Sequence, residues 1–194
     1  GMTGLLGYGA AAEGMNDADV LIMLGTDFPY DQFLPNTFTV QVENRPEKLG
    51  RRTDVSLPIH SDVKPLIAAL LPLLDRDRSD AFLKAKVKKH SKIMHSPVGA
   101  YTRNAEHMKP IHPEYAAHIL NEVAAKDAVF TADTGMCNVW TARYIDPLGS
   151  RRLIGSLLHG SMANALPMAI GAQVAYPNRQ VVSVSGDGGL AMLL

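Results

Sequence analysis

The chain has 194 residues, 46% apolar and 20% charged, and its 19 basic and 19 acidic side chains give a formal net charge of zero. This composition is typical of a soluble globular protein, and the balanced charge argues against recruitment by nucleic acid or by an anionic membrane. The single cysteine, Cys137, excludes an internal disulfide framework and favours a reducing cytoplasm. No apolar run is long enough to form a transmembrane segment.

Residues 1–75 carry the pattern of β/α units. The run Asp19–Gly25 (DVLIMLG) is short, apolar and bounded by an acid and a glycine, which predicts a buried parallel strand. Phe38–Glu43 (FTVQVE) predicts a second strand that ends on an acid. Asp62–Leu74 opens with a capping acid and carries apolar residues at helical spacing, so it predicts a helix that Pro72 kinks or ends.

Residues 76–110 lose the strand signals and predict a linker region between two domains, residues 1–75 and 111–194. The lysine-rich stretch KAKVKKHSK within it predicts one solvated helix. Acidic residues flank this stretch and no aromatic side chains interleave it, so nucleic-acid binding is not expected.

The β/α pattern resumes after Pro110. Helices are predicted over His112–Ala125 and Ser161–Tyr176, and strands over Ala128–Ala132 and Gln180–Ser185. Cys137 has no basic neighbour that would activate it and is expected to be a buried thiol. The predicted fold class is α/β, with parallel sheets flanked by helices and two partial Rossmann-like domains.

Three corners between strand and helix in the second half combine glycine with polar residues. They are Asp133-Thr134-Gly135, the stretch HGSMANA that starts at His159, and Gly186-Asp187-Gly188-Gly189. The carboxyl ends of parallel strands share one edge of a sheet, so these corners are expected to converge there. Glycines admit a ligand close to the backbone, and Asp187 suits a Mg²⁺ ion that bridges it to a diphosphate. Taken alone, the tetrapeptide favours a plain turn in which Asp187 caps a helix, because short motifs match by chance.

Longer stretches around these corners resemble the thiamine-diphosphate enzymes, most closely their pyruvate oxidase and pyruvate:quinone dehydrogenase branch. RRLIGSLLHGSMANALPMAIGAQVAYPNRQVVSVSGDGG looks like the diphosphate-binding domain of that family. GMTGLLGYGAA, ADVLIMLGTDFPY and VQVENRPEKLG resemble its central FAD-binding domain. IHPEYAAHILNEVAA and VFTADTGMCNVWTARYI fill the interval, so the resemblance covers nearly the whole chain.

The resemblance implies a thiamine diphosphate site in the second domain. Asp187 would be a Mg²⁺ ligand, and Met162 would be the bulky side chain that holds the cofactor in a bent conformation. The other residues implied to contact the cofactor are Thr134, Gly135, Gly160, Ser161, Gly188 and Gly189. The residues Thr-Gly-Met-Cys after Asp133 depart from the family pattern.

The resemblance also implies an FAD site in the first domain. One wall would consist of Thr3, Gly4, Leu5 and Leu6. The other would consist of Thr26, Asp27, Phe28, Pro29 and Tyr30. Glu43, which stands where the family more usually has aspartate, would contact the adenosine ribose, a role that suits an acid at a strand end.

No catalytic residue is implied for this chain, because the activating glutamate of the family would lie upstream of residue 1 and further metal ligands downstream of Leu194. We therefore expect a fragment, inactive alone, that binds thiamine diphosphate weakly. Strand and helix surfaces left uncovered are expected to make it self-associate.

The resemblance implies that the parent enzyme oxidatively decarboxylates pyruvate or another 2-oxo acid and passes electrons through FAD to a quinone. It would be a cytoplasmic homo-oligomer, with peripheral membrane association left open. Two alternatives stay open. One is a carboligase of the acetolactate synthase type, and the other is a non-catalytic α/β nucleotide-binding module.

Overall fold

A computed structural model describes residues 4–7, 9–75, 79–95 and 105–193. The chain divides into two units, residues 1–93 and 94–194, and each unit contains a three-stranded parallel sheet flanked by helices. This confirms the predicted α/β class with two partial Rossmann-like domains. The finer partition into residues 1–75, 76–110 and 111–194 stays a prediction. Among the described residues, no helix combines the length and apolarity needed to cross a membrane.

The sheet of the first unit consists of β1 (Val20–Leu24), β2 (Phe38–Glu43) and β3 (Leu57–His60), in the order β1-β2-β3 with parallel pairing throughout. Strands β1 and β2 confirm the sequence prediction. Strand β3 was not predicted, because it has only four residues and contains Pro58, which weakens a strand signal. Its place at the sheet edge makes this proline tolerable.

Three α-helices accompany this sheet: α1 (Ala10–Asn16), α2 (Val63–Leu70) and α3 (Ala81–His95). Helix α2 ends at Leu70, and a 3₁₀ turn that contains Pro72 follows it, as predicted for a proline at this position. The lysine-rich helix α3 also forms. Its lysines are not merely solvated, since Lys86 and Lys89 make ion pairs with Asp17 and Glu13, which lie in or just after α1.

The two faces of this sheet have opposite character. Thr39, Gln41 and Glu43 lie on one face and are at most 6% exposed. The Gln41 side chain donates to the Lys48 carbonyl at 3.2 Å and accepts from the Gly50 N–H at 2.8 Å, so the loop after β2 covers this face. The opposite face is apolar and partly uncovered: Val42 on it is fully buried, whereas other side chains are exposed. Its side chains at 43% to 54% exposure are Val20, Ile22, Leu24, Phe38 and Leu57.

The sheet of the second unit consists of β4 (Val129–Ala132), β5 (Arg152–Gly155) and β6 (Val181–Val184), in the order β5-β4-β6 and again parallel. The central strand β4 is buried along its whole length. Strands β4 and β6 confirm the predicted positions. Strand β5 was not predicted, since it starts on a charged residue and ends on glycine, which leaves two apolar residues between them.

The second unit also contains α4 (Pro113–Val123), α5 (Met136–Tyr144), α6 (Ala165–Ala175) and α7 (Asp187–Ala191). Phe130 of β4 packs with Ala124, Ala128 and Ile145 in the core of this unit. Cys137 is a buried free thiol, as predicted. The prediction that a helix starts at Ser161 is wrong, because Ala163 has a φ of 65°, a left-handed conformation that interrupts an α-helix.

Candidate functional site

The candidate site of the second unit lies at the carboxyl edge of its sheet. Strand β4 ends at Ala132 and continues into Asp133-Thr134-Gly135, and β6 ends at Val184 shortly before Asp187. Strand β5 ends at Gly155, from which the chain runs through a loop to Gly160. The three strands are parallel neighbours, so the three polar corners share one edge of the sheet, as the sequence predicted.

Short distances between the corners show that they pack against one another. A Cβ atom built on Gly160 would lie 3.9 Å from Thr134 Cγ2, and one built on Gly188 would lie 3.5 Å from Met162 Cε. We call the three segments the β4 corner (residues 133–135), the β5 corner (residues 159–165) and the β6 corner (residues 186–189). The first pair joins the β4 and β5 corners, and the second joins the β5 and β6 corners. The structure therefore brings together residues from all three predicted segments.

Gly189 makes the closest of these approaches. A Cβ atom built on it would lie 1.8 Å from Asp133 Oδ2 and 3.3 Å from the Ala163 backbone nitrogen. No side chain fits at that distance, so glycine is required at position 189 for a steric reason. The β6 corner thus lies directly against the β4 corner.

Asp133 is the buried centre of this arrangement, with 1% of its surface exposed. Its Oδ1 accepts hydrogen bonds from the Thr134 N–H at 3.1 Å, the Asn164 N–H at 3.1 Å and the Asn164 side-chain amide at 2.9 Å. The Asn164 amide also donates to the Ser161 carbonyl at 2.6 Å. Asp133 therefore holds the turn that precedes α6.

The sequence-based site omitted Asp133 and Asn164. A buried carboxylate that accepts several N–H groups leaves no periodic pattern in a sequence. The available signal was local, namely an aspartate directly after a buried strand and an asparagine in the first turn of the helix predicted over Ser161–Tyr176. Neither signal says that the two side chains meet.

Apart from Gly189, which is buried, the residues predicted to contact a cofactor are more exposed than this centre. Met162 is 49% exposed, and Gly135, Gly160, Ser161, Asp187 and Gly188 are also exposed. The Ser161 N–H donates to Ser156 Oγ at 3.1 Å, which closes the loop after β5. A buried polar anchor thus supports an exposed rim of glycine and polar residues.

Asp187 is the first residue of α7 and has an exposed side chain. Within the part of the chain that the structure describes, no group of three or more His, Cys, Asp or Glu side chains is arranged to hold a metal ion. Asp187 can therefore offer one carboxylate. That fits Mg²⁺, which commonly binds one or two carboxylates and completes its coordination with water and phosphate oxygens.

In the first unit, the two predicted FAD walls are in contact. A Cβ atom built on Gly4, whose φ is 73°, would lie 3.2 Å from Phe28 Cζ and 3.5 Å from Tyr30 Cδ2. The rings of Phe28 and Tyr30 meet edge to face with centroids 5.8 Å apart. Thr3 lies outside the described residues. Leu5, on the first wall, is 62% exposed.

Thr26 and Phe28 line a mostly apolar cavity of about 170 Å³. Glu43 ends the neighbouring strand β2, is 6% exposed, and accepts a hydrogen bond from the Arg45 N–H at 3.1 Å. Because β1 and β2 are adjacent and parallel, Thr26 and Glu43 follow or end strands at the same edge of the sheet.

Asp27 is already engaged within the chain. Its Oδ1 accepts from Arg52 Nε at 3.0 Å, and its Oδ2 lies 3.6 Å from Lys48 Nζ and 3.8 Å from Arg51 Nη1. The hydrogen bond from Arg52 is the largest effect on the pKa of Asp27 and holds it below its ordinary value, together with the three positive charges and against desolvation. The carboxylate therefore organises the basic loop after β2.

Comparison with known proteins assigns both units to described domains. The central domain of thiamine pyrophosphate enzymes matches residues 1–70, and their C-terminal TPP-binding domain matches residues 133–194. Thiamine pyrophosphate is another name for thiamine diphosphate. Together the two matches cover more than half of the chain.

Several curated relatives align with nearly all of this chain. The Bacillus subtilis protein YdaP, described as thiamine pyrophosphate-containing, is 33% identical over 100% of this chain and 33% of its own length. The acetolactate synthase large subunit of Lactococcus lactis is 31% identical over 99% and 33%, respectively. Pyruvate oxidase of Lactiplantibacillus plantarum is 27% identical over 95% and 31%. The chain thus spans about one third of the length of these relatives.

Proposed function

We propose, from the premise that this chain belongs to the thiamine pyrophosphate enzyme family, that its second unit binds the diphosphate end of thiamine diphosphate together with Mg²⁺. The observation that carries this proposal is the contact among the three corners at the carboxyl edge of the sheet. Ligands of open α/β sheets collect at such edges.

Each corner would have a distinct part in binding. Asp187 would supply one carboxylate oxygen to Mg²⁺, which neutralises the repulsion between that carboxylate and the diphosphate. Gly188 is exposed and has no side chain that would keep a phosphate oxygen away from the backbone. Thr134 and Gly135 would complete the phosphate surroundings, and Gly189 would keep the corner against Asp133.

Met162 would form the apolar part of the site. Its methyl group lies beside Gly188, and about half of its surface is exposed, so it can contact a ligand seated between the corners. Gly160 and Ser161 precede it in the same loop. When bound, thiamine diphosphate supplies the carbon nucleophile and the electron sink for chemistry on a 2-oxo acid.

For the first unit we propose FAD binding at the carboxyl edge of its own sheet. The contact of Gly4 with Phe28 and Tyr30, and the position of Glu43 next to the corner that carries Thr26, support this. A buried carboxylate at a strand end suits hydrogen bonding to ribose hydroxyls. Leu5, Leu6 and Pro29 would add apolar contacts.

The overall reaction that we propose is oxidative decarboxylation of pyruvate or another 2-oxo acid, with electrons passed through FAD to a quinone. The similarity to pyruvate oxidase supports it. Carboligation is the second candidate, because acetolactate synthases are similar to this chain at comparable identity. A homo-oligomeric enzyme is part of the same proposal, supported by the exposed apolar side chains on one face of the first sheet.

Calorimetric titration of the 194-residue chain with thiamine diphosphate, with and without Mg²⁺, tests the binding proposal. We expect weak, Mg²⁺-dependent binding. Asp187 supplies a single carboxylate, whereas Mg²⁺ needs several oxygen ligands to be held tightly. Asp187→Ala should abolish the Mg²⁺ dependence. Asp54→Asn, which changes an exposed aspartate of the first unit, is the control and should bind as the wild type does. Wild-type binding that is indifferent to Mg²⁺ would contradict the proposal.

Turnover is tested on the same chain with thiamine diphosphate, Mg²⁺, FAD and pyruvate. We expect neither ferricyanide reduction nor acetolactate formation, because the chain spans only about one third of the length of its curated relatives. Turnover in either assay would contradict this expectation. The product formed would then distinguish oxidation from carboligation.

A further inference from the structure

We propose that Asp133 is a positioning residue that sets the cofactor-facing turn of residues 161–164 against the β6 corner. The inference rests on the proposed function, because it assigns to Asp133 control over how well thiamine diphosphate binds. Asp133 itself is 1% exposed and is not placed among the residues that contact the cofactor.

The first step is the direction of the hydrogen bonds around Asn164. Its side-chain nitrogen faces two acceptors, Asp133 Oδ1 at 2.9 Å and the Ser161 carbonyl at 2.6 Å. The opposite amide orientation would place an oxygen against both acceptors and would be repulsive. The carboxylate of Asp133 therefore dictates how Asn164 is held.

The second step concerns the side-chain oxygen of Asn164, which this orientation leaves without a hydrogen-bond donor in the described part of the chain. Asn164 Oδ1 is buried and has no hydrogen-bond partner among the described residues. A buried polar atom without a partner costs free energy, so the orientation persists because the bonds to Asp133 and Ser161 outweigh that cost. Bonds to an ionised acceptor are stronger than bonds between neutral groups.

The third step is backbone strain in the same turn. Ala163 adopts a φ of 65°, which is unfavourable for an L-residue with a side chain. Such a conformation persists where its surroundings hold it, and Asp133 bonds both the N–H and the side chain of the next residue, Asn164.

The fourth step links the turn to the neighbouring corner. Asp133 Oδ2 occupies the space where a side chain of residue 189 would stand. One carboxylate therefore contacts the β6 corner and also accepts hydrogen bonds from the turn of residues 161–164. Met162 and Gly188, which are proposed to face the cofactor from these two corners, are thereby kept in contact. Removing the carboxylate would free both.

The test compares Asp133→Ala and Asp133→Asn with the control Thr141→Val. Thr141 is equally buried and donates to the Cys137 carbonyl at 2.6 Å within α5, so its replacement removes a buried hydrogen bond away from the turn. Two quantities are measured in each variant: amide hydrogen exchange at Thr134 and Asn164, and the Kd for thiamine diphosphate with Mg²⁺.

In Asp133→Ala we expect the Asn164 amide to exchange faster by on the order of tenfold to a hundredfold, the range that follows from losing a hydrogen bond to a charged group. The Kd should rise by roughly tenfold on the same basis. Asp133→Asn keeps an acceptor oxygen and should show smaller changes in both. Thr141→Val should leave the Kd unchanged, even where it lowers stability.

The inference is overturned if Asn164 exchanges no faster in either Asp133 variant than in Thr141→Val, or if both Asp133 variants bind thiamine diphosphate as the wild type does. If Asp133→Ala fails to fold, Asp133→Asn alone is compared with the wild type and with Thr141→Val. If the wild-type chain binds no thiamine diphosphate, the proposed function fails, and the exchange data alone decide whether Asp133 holds the turn.

Discussion

Asp27 and Asp133 both follow strands at the carboxyl edge of a parallel sheet, one in each unit, but their environments differ. The Asp27 side chain is 30% exposed and lies among Lys48, Arg51 and Arg52. Asp133 is 1% exposed and accepts hydrogen bonds from uncharged N–H groups. Water and salt compete with the first set of interactions and have little access to the second.

The comparison shows that topological position alone does not decide what a carboxylate does. Asp27 gathers three long basic side chains and orders the surface of a loop. Asp133 satisfies backbone and amide groups that water cannot reach, so its removal leaves them unpaired. Changes at the second site should therefore cost more than changes at the first.

The largest effect is expected from Gly189→Ala. The new methyl group would lie 1.8 Å from Asp133 Oδ2, so the corner must shift, and overpacking of this kind costs about 1–3 kcal/mol or more. Chemical denaturation followed by fluorescence of Trp140, the single tryptophan, reports on the second unit.

Gly188→Ala is the matched control, because its methyl group would meet the flexible end of Met162 at an ordinary 3.5 Å. In the double variant Asp133→Ala/Gly189→Ala the two losses should be less than additive, since truncating Asp133 removes the atom that the new methyl group at position 189 would meet. A loss for Gly189→Ala no greater than that for Gly188→Ala would show that the contact with Asp133 is not restrictive.

A smaller effect is expected from Thr131→Val. Thr131 lies in β4, the strand that Asp133 follows, so this variant tests a second buried hydrogen bond of the same region. Thr131 is fully buried, and its Oγ1 donates to the Ala165 carbonyl at 2.8 Å. Losing one neutral hydrogen bond should lower the free energy of unfolding by about 0.5–1.5 kcal/mol. The same fluorescence measurement applies, and added salt should leave the difference unchanged. A salt-sensitive loss would argue against a buried neutral bond.

The next effect is expected from Asp27→Asn in the first unit. The variant keeps the shape of the side chain and removes its attraction for three cations, so stability should fall by less than in either variant above. Hydrogen exchange at Val42, a buried residue of β2, measures it. Raising the salt concentration should reduce the difference in exchange between this variant and the wild type. A difference that salt does not reduce would contradict the view that Asp27 acts through solvent-accessible ion pairs.

The smallest effect is the pH dependence that Asp27 contributes. Its pKa is lowered in the folded chain, chiefly by the hydrogen bond from Arg52, so folding favours the ionised form. The stabilisation is complete above the unfolded pKa, about 3.9, and is lost as pH falls through the lower folded pKa. Protection of the Val42 amide from exchange should therefore fall more steeply in the wild type than in Asp27→Asn as the pH is lowered below about 3.9. Equal acid dependence in both chains would contradict this.

Much of the fold could be predicted because its signals are local. Apolar runs identified β1, β2, β4 and β6, and Pro72 marked the end of α2. Strand β3 was missed because Pro58 interrupts it, and β5 because two apolar residues carry too little pattern. The start of α6 was placed too early, since small residues such as Ala163 favour helix in isolation, while Ala163 adopts a left-handed conformation next to Asn164, which is bonded to Asp133.

The sequence by itself determined the family, the α/β class and which corners carry glycine next to a polar residue. These properties belong to short stretches, because strand periodicity, glycine corners and motif identity need no distant partner. Only the tertiary structure decided that Asp133 is the anchor of the site, since its partner Asn164 lies 31 residues away in sequence and the space for its Oδ2 depends on Gly189. It likewise decided that Asp27 is enclosed by cations, including Arg52 from 25 residues away. Burial and partnership are properties of the folded chain, because parallel strands bring together side chains that long connections separate.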